Sequence, residues 1–245
     1  MHILLTGASG FIGQHLLLDL LAQGHRVTAC CRHPEKILID SPQLQRLAID
    51  FSLATQISDW LPHLLGIDTL INSVGIIAES DRQSFQTLHT NAPIALFQAA
   101  AQMGCKRIIQ ISALGADAQA TSAYHLSKQT ADEALRDLDL DWFILQPSIV
   151  YGDGARSSGF LHALAALPVH ILPDGGGQLL QPIHIDDVLT TIRGCLDSAV
   201  VGRLTLPLVG PQAISYADYL QKLRPRLGLA PATQLAIPYR YTVSA

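Results

Sequence analysis

Residues 7–13 read Gly-Ala-Ser-Gly-Phe-Ile-Gly, and they stand between the first predicted strand and the first predicted helix. The first glycine of such a turn permits a tight bend, the second lets a pyrophosphate approach the backbone, and the third lets the helix pack on the strand. Free amides at the start of the helix then face the phosphates, helped by the positive end of the helix dipole. The alternative is a glycine-rich turn without a ligand. The predicted dinucleotide-binding residues here are Gly7, Ser9, Gly10, Phe11, Ile12 and Gly13.

Short apolar runs alternate with longer helical patterns across the first 150 residues. Continuously apolar strands are typical of a parallel sheet covered on both faces. The alternation predicts an α/β fold, a doubly wound parallel sheet (Rossmann fold) with right-handed crossovers. The predicted strands are His2–Thr6, Arg26–Cys31, Gln45–Asp50, Thr69–Ser73, Arg107–Ile111 and Trp142–Gln146. The predicted helices between them are Phe11–Gln23, Ala54–Leu65, Ser84–Met103 and Ser122–Leu138.

The pattern changes after Pro147, where glycines and prolines become frequent. We predict a dinucleotide-binding domain over residues 1–150 and a smaller substrate-binding lobe over residues 151–245. Ligands bind at the carboxyl ends of the strands in such folds, so we expect the lobe there. Two more helices are predicted, one from Asp186 or Asp187 to about Leu196 and one over Tyr216–Leu227. Residues 231–245 end without a capped element, which suggests that a C-terminal extension is missing.

Composition excludes several classes of protein. The 245 residues are 49% hydrophobic and 15% charged, with a formal charge of −4, which excludes a disordered chain and a disulfide-stapled miniprotein. Nothing in this charge balance attracts nucleic acid or an anionic membrane surface. Four cysteines without CxxC spacing, no secretory signal and no apolar stretch long enough for a membrane span predict a cytoplasmic protein.

No metal site is predicted. Histidine is abundant, with 10 residues, but no HxxxH or HExxH arrangement occurs. His184 lies beside Asp186 and Asp187, and we interpret this group as a strand followed by a helix with a carboxylate cap.

A positively charged residue, Arg32, directly follows the second predicted strand. An NAD-preferring site usually carries an acidic residue about 20 residues after the glycine turn to hold the ribose 2′-hydroxyl. Here the strand ends Cys31-Arg32-His33, without Asp or Glu at its tip. The Arg32 guanidinium could hold a 2′-phosphate through its planar fork, although an exposed surface arginine is the alternative. NADP(H) is therefore favoured over NAD(H).

Two further strand ends fit the same cofactor. Asp50 and Phe51 follow the third strand and could border the adenine, with the carboxylate accepting from its amino group. Ser73, Val74 and Gly75 follow the fourth strand and would let the backbone pass close beneath the ribose. Each of these stretches alone could equally be ordinary turn chemistry.

Tyr124 and Lys128 are the residues best suited to proton transfer. They lie four positions apart on a predicted helix, so they face the same side. A free phenol has a pKa of about 10, and a nearby ammonium lowers it toward working pH. The pair could act as a general acid/base, with core or surface positions as the alternative. Ser112 closes the fifth strand, where its hydroxyl could hydrogen-bond a substrate carbonyl.

Taken together, these motifs resemble the short-chain dehydrogenase/reductase superfamily, and residues 6–13 are similar to its extended branch. The likeness extends over about residues 1–228. Within the superfamily, the sequence is similar to the atypical subgroup that contains the nucleotide-binding accessory subunit of respiratory complex I, and to nucleoside-diphosphate-sugar epimerases. The further matching stretches are INSVGII (71–77), ISALGAD (111–117), QPSIVYG (146–152) and QPIHIDDV (181–188).

The resemblance implies a role for each site residue. Tyr124 would be the catalytic acid/base, Lys128 would hold the nicotinamide ribose and lower the tyrosine pKa, and Ser112 would polarise the substrate. Asn91 matches a helix-disrupting, proton-relay asparagine, or is simply a polar helix residue. Pro147 would flank the nicotinamide.

Two hypotheses follow for function. The first is an NADP(H)-dependent oxidoreductase or epimerase that transfers a hydride at a carbonyl or alcohol carbon of an unidentified small molecule. The second is a non-catalytic NADP(H)-binding module that acts as an assembly factor, a redox sensor or a scaffold. Helices 84–103 and 122–138 could form a homodimer contact, as in relatives, or could pack on the sheet.

Overall fold

Seven strands form one sheet in which every neighbouring pair is parallel. The structure, a computed structural model, describes residues 1–154 and 156–238. The strands of this sheet are β1 (His2–Thr6), β2 (Arg26–Cys31), β3 (Leu44–Ala48), β4 (Thr69–Asn72), β5 (Arg107–Ile111), β6 (Asp141–Pro147) and β11 (Leu204–Leu208). The predicted doubly wound parallel sheet is thereby confirmed. Strands β1, β2 and β5 have the predicted bounds, and β3, β4 and β6 differ from them by one or two residues at their ends.

The strand order, β11-β6-β5-β4-β1-β2-β3, reverses direction beside β1. Thr6, the last residue of β1, is in register with Asn72, the last residue of β4. The loops after these two strands therefore leave the sheet side by side and turn to opposite faces. In open α/β sheets this switch point is where ligands bind.

Helices cover the two faces of the sheet, as apolar strands of a parallel sheet require. The helices that belong to the same compact unit as this sheet are α1 (Phe11–Ala22), α2 (Ile57–Trp60), α3 (Ala92–Gln102), α4 (Ala123–Arg136) and α6 (Ile185–Leu196). Two more helices, α5 (Arg156–Ala166) and α7 (Tyr216–Leu223), belong to a second unit. The predicted helix 54–65 is shorter than expected, because the segment Leu61–His63 tightens into a 3₁₀ turn around Pro62. The predicted helix 84–103 divides into a π-helix, Gln86–Asn91, and α3.

Large apolar side chains fix α2 and α3 against the sheet. Trp60 and Phe97 are almost entirely buried in a cluster that includes Leu4, Leu70 and Ile108 from three neighbouring strands. The Trp60 indole also donates to the Ala54 carbonyl oxygen at 3.0 Å, so its one polar atom is satisfied. This packing fixes α2 and α3 on one face of the sheet.

The chain divides into two compact units. The first contains Met1–Pro147 and returns at Asp186–Leu208, while the second contains Ser148–Ile185 and the residues after Leu208. The sequence-based division placed all residues after 150 in the second lobe. The chain returns to the first unit because β11 pairs with β6 over five residue pairs, a strand that the apolar pattern did not reveal. The substrate-binding role of the second unit stays a prediction.

The second unit is built from pairs of short strands. They are β7 (Val150–Tyr151) with β10 (Ile183–His184), β8 (Val169–Pro173) with β13 (Thr233–Ile237), and β9 (Leu179–Leu180) with β12 (Ile214–Ser215). The predicted tail 231–245 contains β13, and its last seven residues, 239–245, lie outside the described residues. Among the helices of the described residues, none combines the length and the apolar character that crossing a bilayer would require.

Candidate active site

The glycine turn after β1 is shaped by close backbone contacts. Gly7 has a φ of +71°, and a Cβ there would lie 2.8 Å from the Ser73 carbonyl. A Cβ on Gly13 would lie 2.1 Å from the Gly7 carbonyl oxygen, and that same oxygen accepts from the Gly10 amide at 2.9 Å. Any side chain at Gly7 or Gly13 would therefore force the turn apart.

The start of α1 offers backbone amides without a side-chain partner. Gly10 is the N-cap residue, and no side chain caps the helix. The amides of the first turn have no intrahelical acceptor, and the helix dipole makes this end positive. Phe11, Ile12 and Gly13 supply these amides. This end of α1 therefore fits the pyrophosphate of a dinucleotide, and no acidic residue stands in the first turn to repel it.

Ser73, Val74 and Gly75 connect the glycine turn to the predicted catalytic residues. The Ser73 hydroxyl donates to the Thr6 carbonyl oxygen at 2.6 Å, which fixes the loop after β4 against the end of β1. At Gly75, a Cβ would lie 3.2 Å from Lys128 Nζ and 3.6 Å from His89 Nε2. The predicted ribose segment thus passes directly over the lysine.

Lys128 is buried in α4, with 4% of its surface exposed. Its Nζ donates to the carbonyl oxygens of Val74 at 3.1 Å and Ile111 at 3.2 Å. Burial lowers the pKa of Lys128 to about 8, although Asp132 acts in the opposite direction. The ammonium is consequently held between the ends of β4 and β5, and Ser112 is the residue that directly follows β5.

Tyr124 lies one turn before Lys128, in the first turn of α4. Ser122 caps this helix by accepting from the His125 amide. The half-buried phenol ring makes edge contacts with Phe85, His89 and His125, at centroid distances of 5.6, 5.4 and 5.1 Å. Burial raises the pKa of Tyr124. The expected lowering by Lys128 is thus absent, because the ammonium faces backbone carbonyls and desolvation of the phenol dominates.

Ser112 is brought to this edge but is turned inward. Its hydroxyl donates to Asp132 Oδ2 at 2.5 Å, and both residues are buried. A hydroxyl carries only one hydrogen, so in this arrangement it cannot also donate to a substrate carbonyl. The predicted donor role of Ser112 therefore requires that this hydrogen bond change.

His89 was missed by the sequence analysis. It is fully buried on the π-helix, stacks on Phe85 at 5.2 Å and lies beside Tyr124. Its Nε2 accepts from the Ile76 amide at 3.0 Å, and its Nδ1 lies 3.0 Å from Ser127 Oγ. Burial and the nearby Lys128 lower the pKa of His89 to about 3, so the ring is neutral. No period-3.6 pattern indicates this residue, because the π-helix changes the face on which it lies.

Asp132 was also missed, although its spacing is informative. It stands four residues after Lys128, the same separation that pairs Tyr124 with Lys128. Applied once more along α4, the i,i+4 rule therefore places a carboxyl group on the site face of the helix.

Arg32 lies at the tip of β2, away from the residues just described. It is exposed and makes no ion pair with any residue in the described ranges. With residues 80–83, which include Arg82 and Asp81, it lines a cavity of about 300 Å³. The nearest acidic side chain in sequence, Glu35, is bonded to His33 at 3.1 Å. The guanidinium groups of Arg32 and Arg82 thus share this cavity with the carboxyl group of Asp81.

The remaining predicted residues have structural partners. Asp50 Oδ1 accepts from the amide and hydroxyl of Ser52, and the buried Phe51 ring packs edge-on against Trp60 at 4.9 Å. Pro147 ends β6, and its carbonyl oxygen accepts from the Leu114 amide. Their contacts to a cofactor stay predictions.

Asn91 ends the π-helix and is exposed. Its side-chain oxygen accepts from Gln86 Nε2 at 2.9 Å across that irregular turn. The helix is therefore irregular where the resemblance implies a helix-disrupting asparagine. Within the described residues no group of three His, Cys, Asp or Glu side chains is arranged to hold a metal ion.

Comparison with known families supports the cofactor assignment. Residues 7–164 match the model of a family described as NAD(P)H-binding. This match begins at the glycine turn and includes Ser73–Gly75, Ser112, Tyr124 and Lys128. The predicted dinucleotide-binding character of this part of the chain is thereby confirmed.

Two curated proteins are similar over most of this chain. A ceramide reductase from Caulobacter vibrioides is 23% identical over 94% of this chain and 71% of its own length. Subunit 9 of the NADH dehydrogenase [ubiquinone] 1 alpha subcomplex from Mus musculus is 27% identical over 84% of this chain and 55% of its own. The chain thus spans about half the length of the mitochondrial subunit.

Solved structures share the fold. A UDP-glucuronic acid 4-epimerase from Bacillus cereus in complex with NAD has a TM-score of 0.76 and 21% identity, over 96% of this chain and 87% of that one. A short-chain dehydrogenase/reductase superfamily protein from Agrobacterium tumefaciens with bound NAD has a TM-score of 0.77 and 16% identity, over 97% and 86%. At this level of identity the likeness concerns the architecture alone.

Proposed function

Because the chain belongs to the NAD(P)H-binding family, we propose that it is an NADP(H)-dependent oxidoreductase that acts at a carbonyl or alcohol carbon of a small molecule. A simple reductase and an epimerase that oxidises and re-reduces its substrate use the same site residues. The dinucleotide, when bound, supplies or accepts the hydride. The chain's own residues bind, orient and handle the proton.

One juxtaposition carries this proposal. The loop after β4 leaves the glycine turn at Ser73 and reaches Lys128 at Gly75, and Tyr124 stands one helical turn from that lysine. A cofactor that follows this loop from its pyrophosphate toward its ribose ends beside the phenol. A glycine turn alone would explain the binding of a dinucleotide, but it would not place a proton donor such as Tyr124 beside the cofactor.

The raised pKa of Tyr124 favours one direction of proton transfer. Burial keeps the phenol protonated at neutral pH, so it can donate to a developing alkoxide during carbonyl reduction. Abstraction of a proton from an alcohol would first need a phenolate, which the same burial disfavours. We therefore propose that this site works as a reductase.

Lys128 contributes through position and charge. Its ammonium is held by two backbone carbonyls beneath Gly75, where a ribose hydroxyl would accept a hydrogen bond from it. The pKa of about 8 leaves most of the lysine charged at neutral pH. A positive charge at this point favours binding of an anionic cofactor.

Arg32 supports the preference for NADP(H) over NAD(H). It is exposed, lacks an ion-pair partner in the described part of the chain and lines a cavity in which two arginines, Arg32 and Arg82, stand with one carboxyl group, Asp81. Titration calorimetry with NADPH and NADH tests this preference. Arg32→Ala is expected to weaken NADPH binding by about 10-fold to 100-fold and to leave NADH binding unchanged, as expected for one charge-assisted contact.

The matched control for Arg32 is Arg26→Ala. Arg26 is also exposed on β2, but at the opposite end of the strand. Its substitution is expected to leave both affinities unchanged. Equal affinity of the native protein for the two dinucleotides, or an equal loss in both variants, contradicts the assignment of Arg32.

Catalysis is tested with Tyr124→Phe. Oxidation of NADPH is followed over quinones, aldehydes and sugar nucleotides. The variant keeps the ring contacts with Phe85 and His89 and removes only the hydroxyl, so NADPH should bind as before. Loss of a general acid is expected to reduce the rate by about 10²-fold to 10⁴-fold. A variant that turns over as fast as the native protein excludes Tyr124 from the reaction.

A second function, a non-catalytic NADP(H)-binding module, is favoured by Ser112. Its hydroxyl hydrogen points to Asp132 and away from a substrate. The mouse relative that is 27% identical is named as a subunit of an NADH dehydrogenase. Binding of NADPH without turnover of any substrate in the series above would select this function over the first.

We also propose that the protein works in a reducing compartment, as its composition predicts. All four cysteines are free and buried. Burial raises the pKa values of Cys105 and Cys195 to about 11, so these thiols are poor nucleophiles. They have the properties of packing residues.

A further inference from the structure

A carboxyl group is buried beneath the proposed site. Asp132 is fully buried on α4, four residues after Lys128. Its Oδ2 accepts from the Ser112 hydroxyl at 2.5 Å, while its Oδ1 has no hydrogen-bond partner among the described residues. A buried carboxylate with one unsatisfied oxygen is costly, so this arrangement calls for an explanation beyond packing.

A chain of buried side chains approaches Asp132 from the sheet. The Thr6 hydroxyl donates to Asn72 Oδ1 at 2.6 Å, and Asn72 Nδ2 donates to Gln110 Oε1 at 2.7 Å. These two bonds fix the orientation of the Gln110 amide and leave its Nε2 buried without a partner. Hydrogen bonding by the Gln110 side chain also lowers the pKa of Asp132, so the Gln110 amide lies close to the carboxyl although neither Nε2 nor Asp132 Oδ1 completes a hydrogen bond of good geometry. The surroundings of Asp132 are thus polar but incompletely paired.

The single hydrogen of Ser112 links this buried group to the substrate side. When Asp132 is ionised it can only accept, so the serine hydrogen is drawn inward. When Asp132 carries a proton it can donate that proton to Ser112 Oγ. The serine hydrogen is then free to turn outward to a carbonyl oxygen.

We propose that Asp132 is a positioning residue whose protonation state decides whether Ser112 donates inward or toward a bound carbonyl group. The proton is exchanged with solvent water, and no covalent bond forms or breaks. The inference has two halves. The inward half, that Ser112 donates to the ionised Asp132, concerns this chain alone. The substrate half, that Ser112 donates to a bound carbonyl group when Asp132 is protonated, rests on the proposed function.

The charges around Asp132 place its protonation in an accessible range. Burial raises the pKa of Asp132 to about 6. Hydrogen bonding by Ser112 and Gln110 and the charges of Lys128 and Arg136 oppose this rise. Both cations stand on the same helix, α4, and the groups that face Asp132 from β5 and its end are the neutral Gln110 and Ser112. The carboxyl therefore changes its protonation state near pH 6.

Carbon-13 NMR of protein labelled at aspartate carboxyl carbons tests the inward half without any substrate. One resonance should titrate with a midpoint of about 6, and it should be missing in Asp132→Asn. In Ser112→Ala that midpoint should move upward, because the lost hydrogen bond favoured the charged form. Asp137→Asn, an exposed aspartate at the end of the same helix, should remove a different resonance.

Two NMR outcomes would overturn the inference. One is an Asp132 resonance that titrates near the ordinary value of 3.8. The other is a midpoint that Ser112→Ala does not change, since the two groups would then be uncoupled. The Ser112→Ala substitution removes only a hydroxyl group and leaves Asp132 in place. The comparison of its midpoint with that of the native protein therefore does not depend on whether Asp132→Asn folds.

The pH profile of turnover tests the substrate half. In the native protein kcat for carbonyl reduction should decline by about tenfold per pH unit above the midpoint, as Asp132 ionises. In Asp132→Asn this decline of kcat with pH should be absent, because an amide does not ionise. If the same decline persists in the variant, the protonation state of Asp132 does not control how Ser112 donates to the substrate. Failure of every substrate would instead reject the proposed function, and the NMR titration would still decide the state of Asp132.

Discussion

At the scale of single residues, Gly13 is constrained more tightly than any pattern conveys. Its position on α1 brings the helix so close to the preceding turn that a methyl group would meet the Gly7 carbonyl oxygen at 2.1 Å. Real atoms do not approach so closely, so a side chain must displace the helix or the turn. The same displacement would move the amides at the start of α1, which are the proposed phosphate ligands.

Gly13→Ala is therefore expected to affect both stability and cofactor binding. The free energy of unfolding should fall by about 1–3 kcal/mol, the usual effect of overpacking, and NADPH affinity should fall with it. Urea unfolding and titration calorimetry measure the two effects.

Gly194→Ala is the control for Gly13. Gly194 lies in α6, is exposed and has open space around its Cβ position. Alanine should stabilise that helix by about 0.5–1 kcal/mol and leave NADPH binding unchanged. If the two variants behave alike, the close approach at Gly13 is not what the turn requires.

At the scale of elements, the π-helix Gln86–Asn91 positions His89 between two other elements. The ring bonds the Ile76 amide in the loop after β4 and Ser127 on α4. The Ser127 hydroxyl in turn donates to the Tyr124 carbonyl oxygen at 2.7 Å. A neutral imidazole is required for these roles, since Nε2 must accept.

The buried His89 makes stability depend on pH. Its pKa is about 3 in the folded protein and rises to about 6.5 on unfolding, so below pH 6.5 the unfolded chain binds an extra proton. Stability from this group is complete above pH 6.5 and is lost as pH falls toward 3. His89→Gln removes that dependence. Between about pH 7.5 and about pH 5, the native protein should lose about 2 kcal/mol more than the variant in urea unfolding. Parallel pH profiles for the two proteins would contradict this account.

Regular elements were predictable because their signals are local. Strands β1, β2 and β5 have the predicted bounds, since apolar runs ending in glycine or polar residues leave little choice. The helix 84–103 was predicted as one regular helix, because composition does not distinguish a π-turn from an α-turn. Strand β11 was not predicted, because its residues, Leu204–Leu208, are interrupted by Pro207 and pair at an edge.

The site residues divide in the same way. Gly7, Gly13 and Lys128 follow from spacing along one strand, turn or helix. The inward bond of Ser112 and the raised pKa of Tyr124 depend on burial among residues distant in sequence, such as Asp132 and Phe85. Desolvation is a property of the packed molecule, so sequence spacing alone gave the opposite direction for the tyrosine.

At the scale of the whole molecule, Arg107 holds the returning segment to the first unit. It begins β5, pairs with Asp141, and lies 5.2 Å from the Phe143 ring centroid. Its guanidinium also donates to the carbonyl oxygens of residues 195, 197 and 200, after the chain has passed through the second unit. Several donors in one rigid fork are needed to satisfy these acceptors together.

Arg107→Lys should therefore be destabilising although it keeps the charge. A compact ammonium cannot reach Asp141 and three carbonyl oxygens at once, and we expect a loss of about 2–4 kcal/mol in the free energy of unfolding. Arg26→Lys, at an exposed position on β2, should change it by less than about 0.5 kcal/mol. Equal effects in urea unfolding would show that the fork of Arg107 is dispensable.

The late arrival of β11 has a consequence for synthesis on the ribosome. One side of β6 has no strand to pair with until Leu204–Leu208 has left the exit tunnel, by which time residues 148–185 are already outside. During that interval the nascent sheet exposes an unpaired edge of the kind that recruits foreign strands. A gene fragment that stops near residue 150 would make this interval permanent, and its product should aggregate unless the segment 186–208 is supplied with it.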